Sequence, residues 1–520
     1  MTQTSAAAVH YLGRTVTRRE VEAAAATLAT FLADQGVRGG DRVLLQLQNI
    51  PQAVVACQAV WRLGGTAVPV NPMYKSAELR HIVADSEPTA AVVLDDLYEA
   101  ALAPVLAELG AIPTLTTSAA DYADPAVAAS LGLERVQPTG TYDFLTVASA
   151  GCEAEPPTFE RAAQCAPADV AALIYTSGTT GPPKGAMVTH GNLTAERELW
   201  RDLLQPGPDD AIMGIAPVFH ITGLVADLVT ALDCHLPLVQ MNRFEPALAL
   251  RWIEQYRPTS VVAAITAYTA LLNQPDLSPD RVESLRTCLS GGAPVAATSV
   301  ARWRDRTGGH IRNCYGLTES SSLVTLTPAD AEAPVDPGTG ALSVGRAVPG
   351  ATVEIRDEHD QPVPAGEPGE VVIRGPQVVA GYWNNTPQTE ATFRASGLHT
   401  GDVGILDEDG WLYLIDRSKD LIVTSGYKVW PLEVEEVLMK HPAVSEAGVV
   451  GVPDDYRGEQ VVAYVSLRPG EAADEATLID FCRQRIAVYK APRRVTILAE
   501  LPKTPTGKIL RRELRRTLPS

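Results

Sequence analysis

The chain has 520 residues, 46% of them hydrophobic and 20% charged, and a formal net charge of −19. This length exceeds what one hydrophobic core usually organises, so we expect two or more domains. The acidic balance disfavours nucleic acid and anionic membranes as general partners, because both require a basic surface. No uninterrupted apolar run reaches the length of a spanning helix, and the amino terminus lacks a secretory signal.

Seven scattered cysteines, none in a C-x-x-C pair, argue against a disulfide framework or a zinc site. A reducing, cytoplasmic location follows as a prediction. One region departs from the acidic balance, since residues 483–520 carry eleven Lys or Arg against only Glu500 and Glu513. This basic terminus is either a solvated face or an anion-binding segment.

The first hundred residues alternate helical and strand patterns, which predicts a parallel sheet covered by helices. Helices are expected over 17–36, 49–65 and 76–86, and strands over 41–48, 66–70 and 90–96. The alternation resumes with a strand over 169–178 and continues to about residue 307. The intervening residues 109–168 are rich in Ala, Pro, Gly and Thr, and we interpret them as a connector with peripheral structure.

Short strands with turns then predict a smaller β-rich lobe over 351–357, 369–375, 410–417 and 421–429. The last hundred residues alternate helices and strands as in an α+β domain. We therefore predict an α/β protein with a large N-terminal domain over 1–417, made of parallel-sheet α/β subdomains plus the lobe. A small, mobile α+β C-terminal domain over 418–520 follows.

Residues 175–192, YTSGTTGPPKGAMVTHGN, concentrate hydroxyls, glycines and one lysine after a buried strand. Small residues let backbone N–H groups approach anionic oxygens and Lys184 supplies countercharge, so the segment favours phosphate binding. It does not match G-x-x-x-x-G-K-[ST], because two prolines intervene and no hydroxyl follows the lysine. The dinucleotide motif G-x-G-x-x-G is also absent. We expect the glycine-rich run to lead into a helix start, where ligands bind open α/β sheets.

The run YTSGTTGPPKG resembles the phosphate-binding signature of the adenylate-forming superfamily, which includes acyl-CoA synthetases. Further blocks follow in that family's order: SGGAP at 290–294, NCYGLTE at 313–319, HTGD at 399–402, DRSKDLIVTSGYKV at 416–429 and PTGK at 505–508. The six blocks are in register, and the resemblance covers the chain from about residue 17 to 516. The resemblance implies ATP-dependent activation of a carboxylic acid as an acyl adenylate, followed by transfer to the thiol of coenzyme A.

The resemblance also implies roles for individual residues. Tyr315 stacks on adenine, Asp402 accepts the ribose hydroxyls, and Glu319 with Thr176 holds Mg²⁺, which prefers oxygen ligands. The implied ATP and AMP contacts are Thr176, Ser177, Gly178, Thr179, Thr180, Gly181, Lys184, Gly292, Ala293, Pro294, Asn313, Tyr315, Gly316, Thr318, Asp402, Arg417 and Lys508. The implied catalytic residues are Lys508, His220, Thr318 and Glu319.

Lys508 follows Gly507 in a Pro/Thr/Gly loop that no core requires. Acid activation brings a carboxylate against the α-phosphorus of a polyanion, and a lysine between them removes that repulsion in the transition state. The resemblance gives Lys508 this role. Because the thiol then needs the same space, the small domain must move, and Lys419 matches the family's hinge.

The segment APVFHITG carries Phe219-His220 where amino-acid-activating relatives place an aromatic residue followed by Asp, so amino acids are unlikely substrates. Mostly small or apolar residues are implied to line the acyl pocket, which suits an uncharged chain. They are His220, Ile221, Thr222, Gly223, Ile265, Thr266, Gly291, Cys314 and Val324. Ile265-Thr266 replaces a usual Pro-Thr and Cys314 a usual Gly or Ala, which leaves pocket width and depth open. The implied coenzyme A contacts are Ser425, Gly426 and Lys428.

These residues predict a medium- or long-chain fatty-acid CoA ligase. An aryl-acid CoA ligase and an adenylating enzyme that loads an acyl carrier protein are the alternatives, although no insertion that would block coenzyme A is visible near the hinge. A luciferase-like oxygenase shares all these blocks. A non-catalytic nucleotide-binding regulator is disfavoured because Lys508, Glu319 and Lys184 are retained. A homodimer is a further arrangement that the sequence leaves open.

Overall fold

The computed structural model describes residues 6–150, 165–176, 182–293, 295–417, 422–424, 427–454, 457–504 and 507–516. Four sheets organise these residues. None of the described helices is long and apolar enough to cross a bilayer. The chain is therefore built from sheets covered by helices, as the alternating patterns predict.

The first sheet has seven strands, parallel except for the last antiparallel pair. Its strands in spatial order are Tyr142–Asp143, Thr114–Thr117, Ala90–Leu94, Arg42–Gln46, Thr66–Pro69, Val170–Thr176 and Lys184–Thr189. Its helices are Arg18–Asp34, Pro51–Arg62, Ser76–Ser86, Asp95–Leu97, Ala103–Leu109, Pro125–Ser130 and Phe144–Ser149, with a π-helix at Tyr98–Leu102. Thr17 and Glu20 form a reciprocal capping box that fixes where the first helix begins.

The second sheet has nine strands, parallel at its centre and antiparallel at both ends. Its strands in spatial order are Arg346–Ala347, Thr325–Leu326, Ile311–Tyr315, Thr287–Ser290, Ser260–Ala263, Ile212–Gly214, Leu238–Gln240, Ala7–Tyr11 and Arg14–Thr17. Its helices are His190–Leu204, Thr230–Asp233, Pro246–Tyr256, Ile265–Leu272, Pro279–Val282 and Ala297–Thr307, with a π-helix at Gly223–Val229 and a 3₁₀ turn at Thr318–Ser320. One hydrophobic core extends over both large sheets.

The lobe is an antiparallel sheet of Thr352–Arg356, Pro368–Arg374, Gly397–Leu406, Phe393–Arg394 and Leu412–Arg417, with a helix at Thr386–Thr392. The C-terminal sheet contains Tyr427–Val429, Ile422–Thr424, Gly458–Leu467, Val444–Asp454 and Arg494–Leu498. Its helices are Pro431–Met439, Glu475–Arg483 and Arg511–Arg516. This sheet packs a separate core. The α/β class and the small C-terminal α+β unit are confirmed.

Three local predictions were wrong. The first concerns residues 109–168, which were expected to be peripheral. Strand Thr114–Thr117 is instead fully buried and extends the seven-stranded sheet. Hydropathy does not reveal this burial, because three of the four residues are threonines. Their hydroxyls are hydrogen-bonded within the protein: Thr116 Oγ1 lies 2.9 Å from Thr141 Oγ1, and the Thr117 hydroxyl donates to Asp121.

The second correction concerns the glycine-rich run, which was expected to lead into a helix. A strand, Lys184–Thr189, follows it and pairs antiparallel with Val170–Thr176, so the run connects a β-hairpin. The helix begins only at His190, capped by Thr189 and Asn192. The third concerns residues 421–429, which were grouped with the lobe strands. Their described parts, Ile422–Thr424 and Tyr427–Val429, pair in the C-terminal sheet instead, beyond the predicted boundary at residue 417.

Candidate active site

Three predicted blocks meet at the carboxyl edge of the nine-stranded sheet. The central strands Ser260–Ala263, Thr287–Ser290 and Ile311–Tyr315 run parallel and end side by side. Ile265, Gly291 and Gly316 follow those three ends. Ligands of open α/β sheets bind outside the carboxyl ends of parallel strands, so this edge is the expected place for a binding site.

Two glycines at this edge allow backbone approaches that no side chain would permit. A Cβ added at Gly291 would lie 2.8 Å from Cys314 Sγ and 2.9 Å from the Cys314 carbonyl oxygen. One added at Gly316 would lie 1.4 Å from the Ser322 carbonyl oxygen. The Cys314 thiol also donates to the Ser290 carbonyl at 3.3 Å. Cys314 therefore fills the space beside Gly291.

The predicted adenine and ribose residues contact each other directly. The Tyr315 hydroxyl donates to Asp402 Oδ2 at 2.7 Å, and both side chains are buried. Asp402 lies opposite Arg417 in the antiparallel register of the lobe, and its N–H donates to Thr400 Oγ1 at 3.1 Å. The contact joins the edge of the large sheet to the lobe. The structure thus brings together two side chains that are 87 residues apart in the chain.

Three other predicted residues are buried. Asn313 is buried, and its Nδ2 donates to the Ser343 carbonyl at 3.0 Å. Val324 is fully buried in the core that the lobe shares with Tyr315. Thr318 is buried at the start of the 3₁₀ turn. Asn313 and Val324 therefore pack beneath the residues that form the surface of the sheet edge.

The predicted metal and phosphate residues gather around a tyrosine that the sequence reasoning missed. Tyr382 donates its hydroxyl to Glu319 Oε1 at 2.7 Å, and Lys184 Nζ lies 5.1 Å from the centre of its ring. Thr176 is the register partner of Lys184 across the hairpin. No regular spacing links residue 382 to these motifs, so only the fold could reveal it.

His220 is held as a neutral imidazole. Burial lowers its pKa to about 4. The Thr222 N–H donates to His220 Nδ1 at 3.3 Å, which leaves the ring proton on Nε2. A Cβ added at Gly223 would lie 2.2 Å from the Pro217 carbonyl oxygen, so the π-helix packs directly on the segment that precedes His220.

Asn49, also missed from the sequence, fixes that segment from the other large sheet. Its Nδ2 donates to the carbonyls of Gly214 at 3.1 Å and Ala216 at 2.8 Å, and its Oδ1 accepts from the Val218 N–H at 2.9 Å. All three bonds are buried, and a buried amide that satisfies three backbone groups positions them firmly. Asn49 therefore sets the approach of the chain to His220.

The Lys508 loop contacts the predicted acyl pocket. Inside the loop, the Lys508 N–H donates to Thr504 Oγ1 at 3.0 Å and the Thr504 N–H donates to the Lys508 carbonyl at 2.7 Å. Gly507 has a φ of +81°, and a Cβ added there would lie 2.2 Å from Thr266 Oγ1. The C-terminal loop is thus packed against the helix that begins at Ile265.

Nine predicted residues, and the side chains of two more, lie outside the described part of the chain. The nine residues are Ser177, Gly178, Thr179, Thr180, Gly181, Pro294, Lys419, Ser425 and Gly426, and the two side chains are those of Arg417 and Lys428.

The basic terminus is partly neutralised within its own domain. Lys490 pairs with Glu433, Lys503 with Glu446 and Arg511 with Glu435, at 2.6, 2.9 and 3.0 Å. Those three cations therefore form ion pairs inside the C-terminal domain.

The chain matches two family models in succession. Residues 1–383 match the AMP-binding enzyme model, and residues 433–508 match the AMP-binding enzyme C-terminal domain. Together they cover most of the sequence, in the order that the six motif blocks predict.

Characterised relatives and solved structures agree with this match. The chain is 35% identical to a long-chain-fatty-acid--CoA ligase of Bacillus subtilis, over 98% of this chain and 91% of the relative. It is 33% identical to a feruloyl-CoA synthase of an Amycolatopsis species, over 98% and 96%. The crystal structure of ATP-bound MatB from Rhodopseudomonas palustris superposes with a TM-score of 0.85 at 30% identity, over 99% of this chain and 96% of that one. The chain belongs to the AMP-binding enzyme family and is an AMP-forming acid-thiol ligase.

Proposed function

We propose that the protein activates a medium- or long-chain fatty acid with ATP, releases pyrophosphate, and transfers the acyl group to the thiol of coenzyme A. A carboxylate is a poor electrophile, whereas an acyl adenylate expels AMP when a thiol attacks. Two half-reactions therefore share one pocket. The long-chain-fatty-acid relative and the apolar character of the predicted acyl wall support the fatty-acid class.

One observation carries the proposal: the contact between Gly507 and Thr266, which brings the Lys508 loop to the predicted acyl pocket. In this position the Lys508 ammonium would lie between the substrate carboxylate and the α-phosphate. It would offset their repulsion as charge redistributes in the transition state. The half-buried, neutral His220 would add no charge beside the carboxylate.

The second half-reaction requires the loop to leave. A thiol cannot reach the acyl carbon while Lys508 occupies its path, so we propose that the C-terminal domain, residues 418–520, turns about Lys419. Ser425, Gly426 and Lys428 would then contact coenzyme A. The separate core of the C-terminal sheet supports such a rotation, because the unit can move without opening the large core.

Magnesium fits the residues present as an ion shared with the substrate. Among the described residues, no three His, Cys, Asp or Glu side chains form a complete cage. Mg²⁺ commonly takes one or two carboxylates together with phosphate oxygens and water. Glu319, with the Thr176 hydroxyl, would hold it, and it would neutralise charge on the phosphates. Glu319 is half-buried and already oriented by Tyr382.

An aryl acid is the second candidate substrate, and the feruloyl-CoA synthase relative supports it. Cys314 beside Gly291 would narrow the predicted pocket, which would suit a flat ring as well as a chain. An acyl carrier protein as acceptor, a homodimer and a cytoplasmic location stay predictions.

A pyrophosphate-release screen over fatty acids of graded length and aryl acids, with and without coenzyme A, tests the proposal. We expect release with fatty acids and thioester only when coenzyme A is added. Lys508→Ala should lose pyrophosphate release yet still form thioester from a supplied acyl adenylate, whereas Lys440→Ala, at an exposed lysine of the same domain, should retain both. Equal loss of both steps in Lys508→Ala would contradict the assigned role.

A further inference from the structure

Tyr382 lies where three separate parts of the site meet. Its hydroxyl donates to Glu319, its ring lies under the Lys184 ammonium, and its backbone bridges to Ala186 in the returning strand of the hairpin. Tyr382 is 6% exposed, whereas Lys184 is only half-buried, so the contact with the ring stays open to water on the lysine side. A single tyrosine thus touches both the predicted metal carboxylate and the predicted phosphate lysine.

The backbone on both sides of the Tyr382–Glu319 bond is already fixed. The Val379 N–H donates to the Glu319 carbonyl at 2.9 Å, and the Trp383 N–H donates to the Gly185 carbonyl at 2.7 Å. The Tyr382 N–H donates to Thr389 Oγ1 at 2.9 Å. The hydroxyl is therefore not needed to hold the chain together. What it determines is the direction of the Glu319 carboxylate.

The hydroxyl acts as a permanent donor. The Tyr382 hydroxyl is a phenol that donates to Glu319 Oε1, and a phenol carries its proton at neutral pH. A phenol that donates to one carboxylate oxygen orients the other. Partners of this kind fix metal-binding carboxylates in place.

We propose that Tyr382 is a positioning residue for the magnesium–triphosphate complex, its hydroxyl directing Glu319 to the metal and its ring holding Lys184 toward the phosphates. This inference rests on the proposed function. It assigns the two contacts different duties. The hydroxyl serves metal affinity, and the ring serves nucleotide affinity even without metal.

Two substitutions separate these duties. Tyr382→Phe removes the hydroxyl and keeps the ring, whereas Tyr382→Leu removes both. Tyr413→Phe is the matched control, because the Tyr413 hydroxyl donates to Asp407 Oδ2 at 3.0 Å within the lobe. Thermal unfolding of each variant verifies that it is folded. Binding of Mn²⁺ in the presence of a non-hydrolysable ATP analogue is measured by electron paramagnetic resonance, and metal-free binding of the analogue by calorimetry.

We expect Tyr382→Phe to weaken Mn²⁺ binding by about tenfold or more, the size of effect usual for such partners. Its metal-free nucleotide affinity should match the wild type, and excess Mg²⁺ should restore its rate of pyrophosphate release. Tyr382→Leu should in addition lose about two- to fivefold in metal-free nucleotide affinity, the size of an exposed cation–π contact. Tyr413→Phe should bind Mn²⁺ as the wild type does.

Unchanged Mn²⁺ affinity in folded Tyr382→Phe would overturn the inference, as would an equal loss in Tyr413→Phe. A rate defect that excess Mg²⁺ does not restore would also overturn it. The proposed function fails separately, if the wild type binds Mn²⁺ and nucleotide but releases no pyrophosphate with any acid. Metal binding and catalysis are thus judged by different measurements.

Discussion

Gly507→Ala tests whether the docked Lys508 loop is the state that activates the acid. The added Cβ would lie 2.2 Å from Thr266 Oγ1, well inside contact distance, so the loop or the helix must shift. The left-handed φ of +81° adds strain of about 1–2 kcal/mol for an L-residue. Overpacking adds about 1–3 kcal/mol. The strain is present whether the loop is docked or not, so only the overpacking weakens docking, by about 1–3 kcal/mol.

A loss of that size reduces docking by about 5- to 150-fold, because about 1.4 kcal/mol is a factor of ten. Pyrophosphate release should fall accordingly, while thioester formation from a supplied acyl adenylate should hardly change. Gly470→Ala is the matched control: it shares a φ of +81° in the same domain, and its added Cβ meets nothing within 4 Å. It isolates the strain from the clash and should leave both half-reactions near wild type.

Thr266→Ala supplies the second test, since it removes the hydroxyl that the new methyl group meets. Gly507→Ala should cost less when introduced into Thr266→Ala than into the wild type, and the difference measures the clash. The reasoning is refuted if Gly507→Ala and Gly470→Ala behave alike, if both half-reactions fall together, or if Thr266→Ala gives no relief.

Three further predictions concern buried polar groups. Asn49→Ala leaves three backbone groups of residues 214–218 unpaired and should lower the free energy of unfolding by about 2–4 kcal/mol in urea titrations; a loss below about 1 kcal/mol would contradict its clamping role. The pKa of His220 is lowered to about 4, so His220 should not titrate near pH 6.5. The pH profile of kcat/KM should therefore be the same near pH 6.5 in the wild type and in His220→Gln. An inflection there that His220→Gln abolishes would show that the imidazole becomes charged. Burial raises the pKa of Glu196 well above its usual value, so the folded state keeps a proton that the unfolded state releases above about pH 4.5. The contribution of Glu196 to the free energy of unfolding should therefore fall as the pH rises above that value. Glu196→Gln should flatten that fall in urea midpoints measured from pH 5 to 8, and an unchanged slope would exclude Glu196 as its source.

Local patterns predicted most of the fold because the large sheets are parallel. Their strands form continuous apolar runs between amphipathic helices, and both periodicities are visible in a single sequence. The errors arose where burial is polar or pairing is long-range. Strand Thr114–Thr117 is buried with hydroxyl partners, and residues 422–424 pair with Gly458, more than thirty positions away. Neither fact leaves a periodic signal.

In the candidate site, too, residues within sequence motifs were predicted, whereas residues that act through long-range contacts were missed. Motif resemblance identified Glu319, Lys184, Tyr315 and Asp402, and the structure joins Tyr315 to Asp402 at one edge. Tyr382 and Asn49 were missed because each acts through side-chain hydrogen bonds on a segment more than sixty residues away. Such residues carry no chemistry that composition or spacing could single out. They become visible only when the fold brings the partners together.

The bridge between Ala186 and Tyr382, with the hydrogen bonds that flank it, has a consequence for the solubility and rigidity of the whole N-terminal part. The strand Lys184–Thr189 is the last of its sheet, and an outermost strand with open backbone groups invites pairing with another molecule. Residues 381–383 cover that border. The same contacts fasten the lobe to the first sheet, so the two would stay together as one block during the proposed rotation of the C-terminal domain.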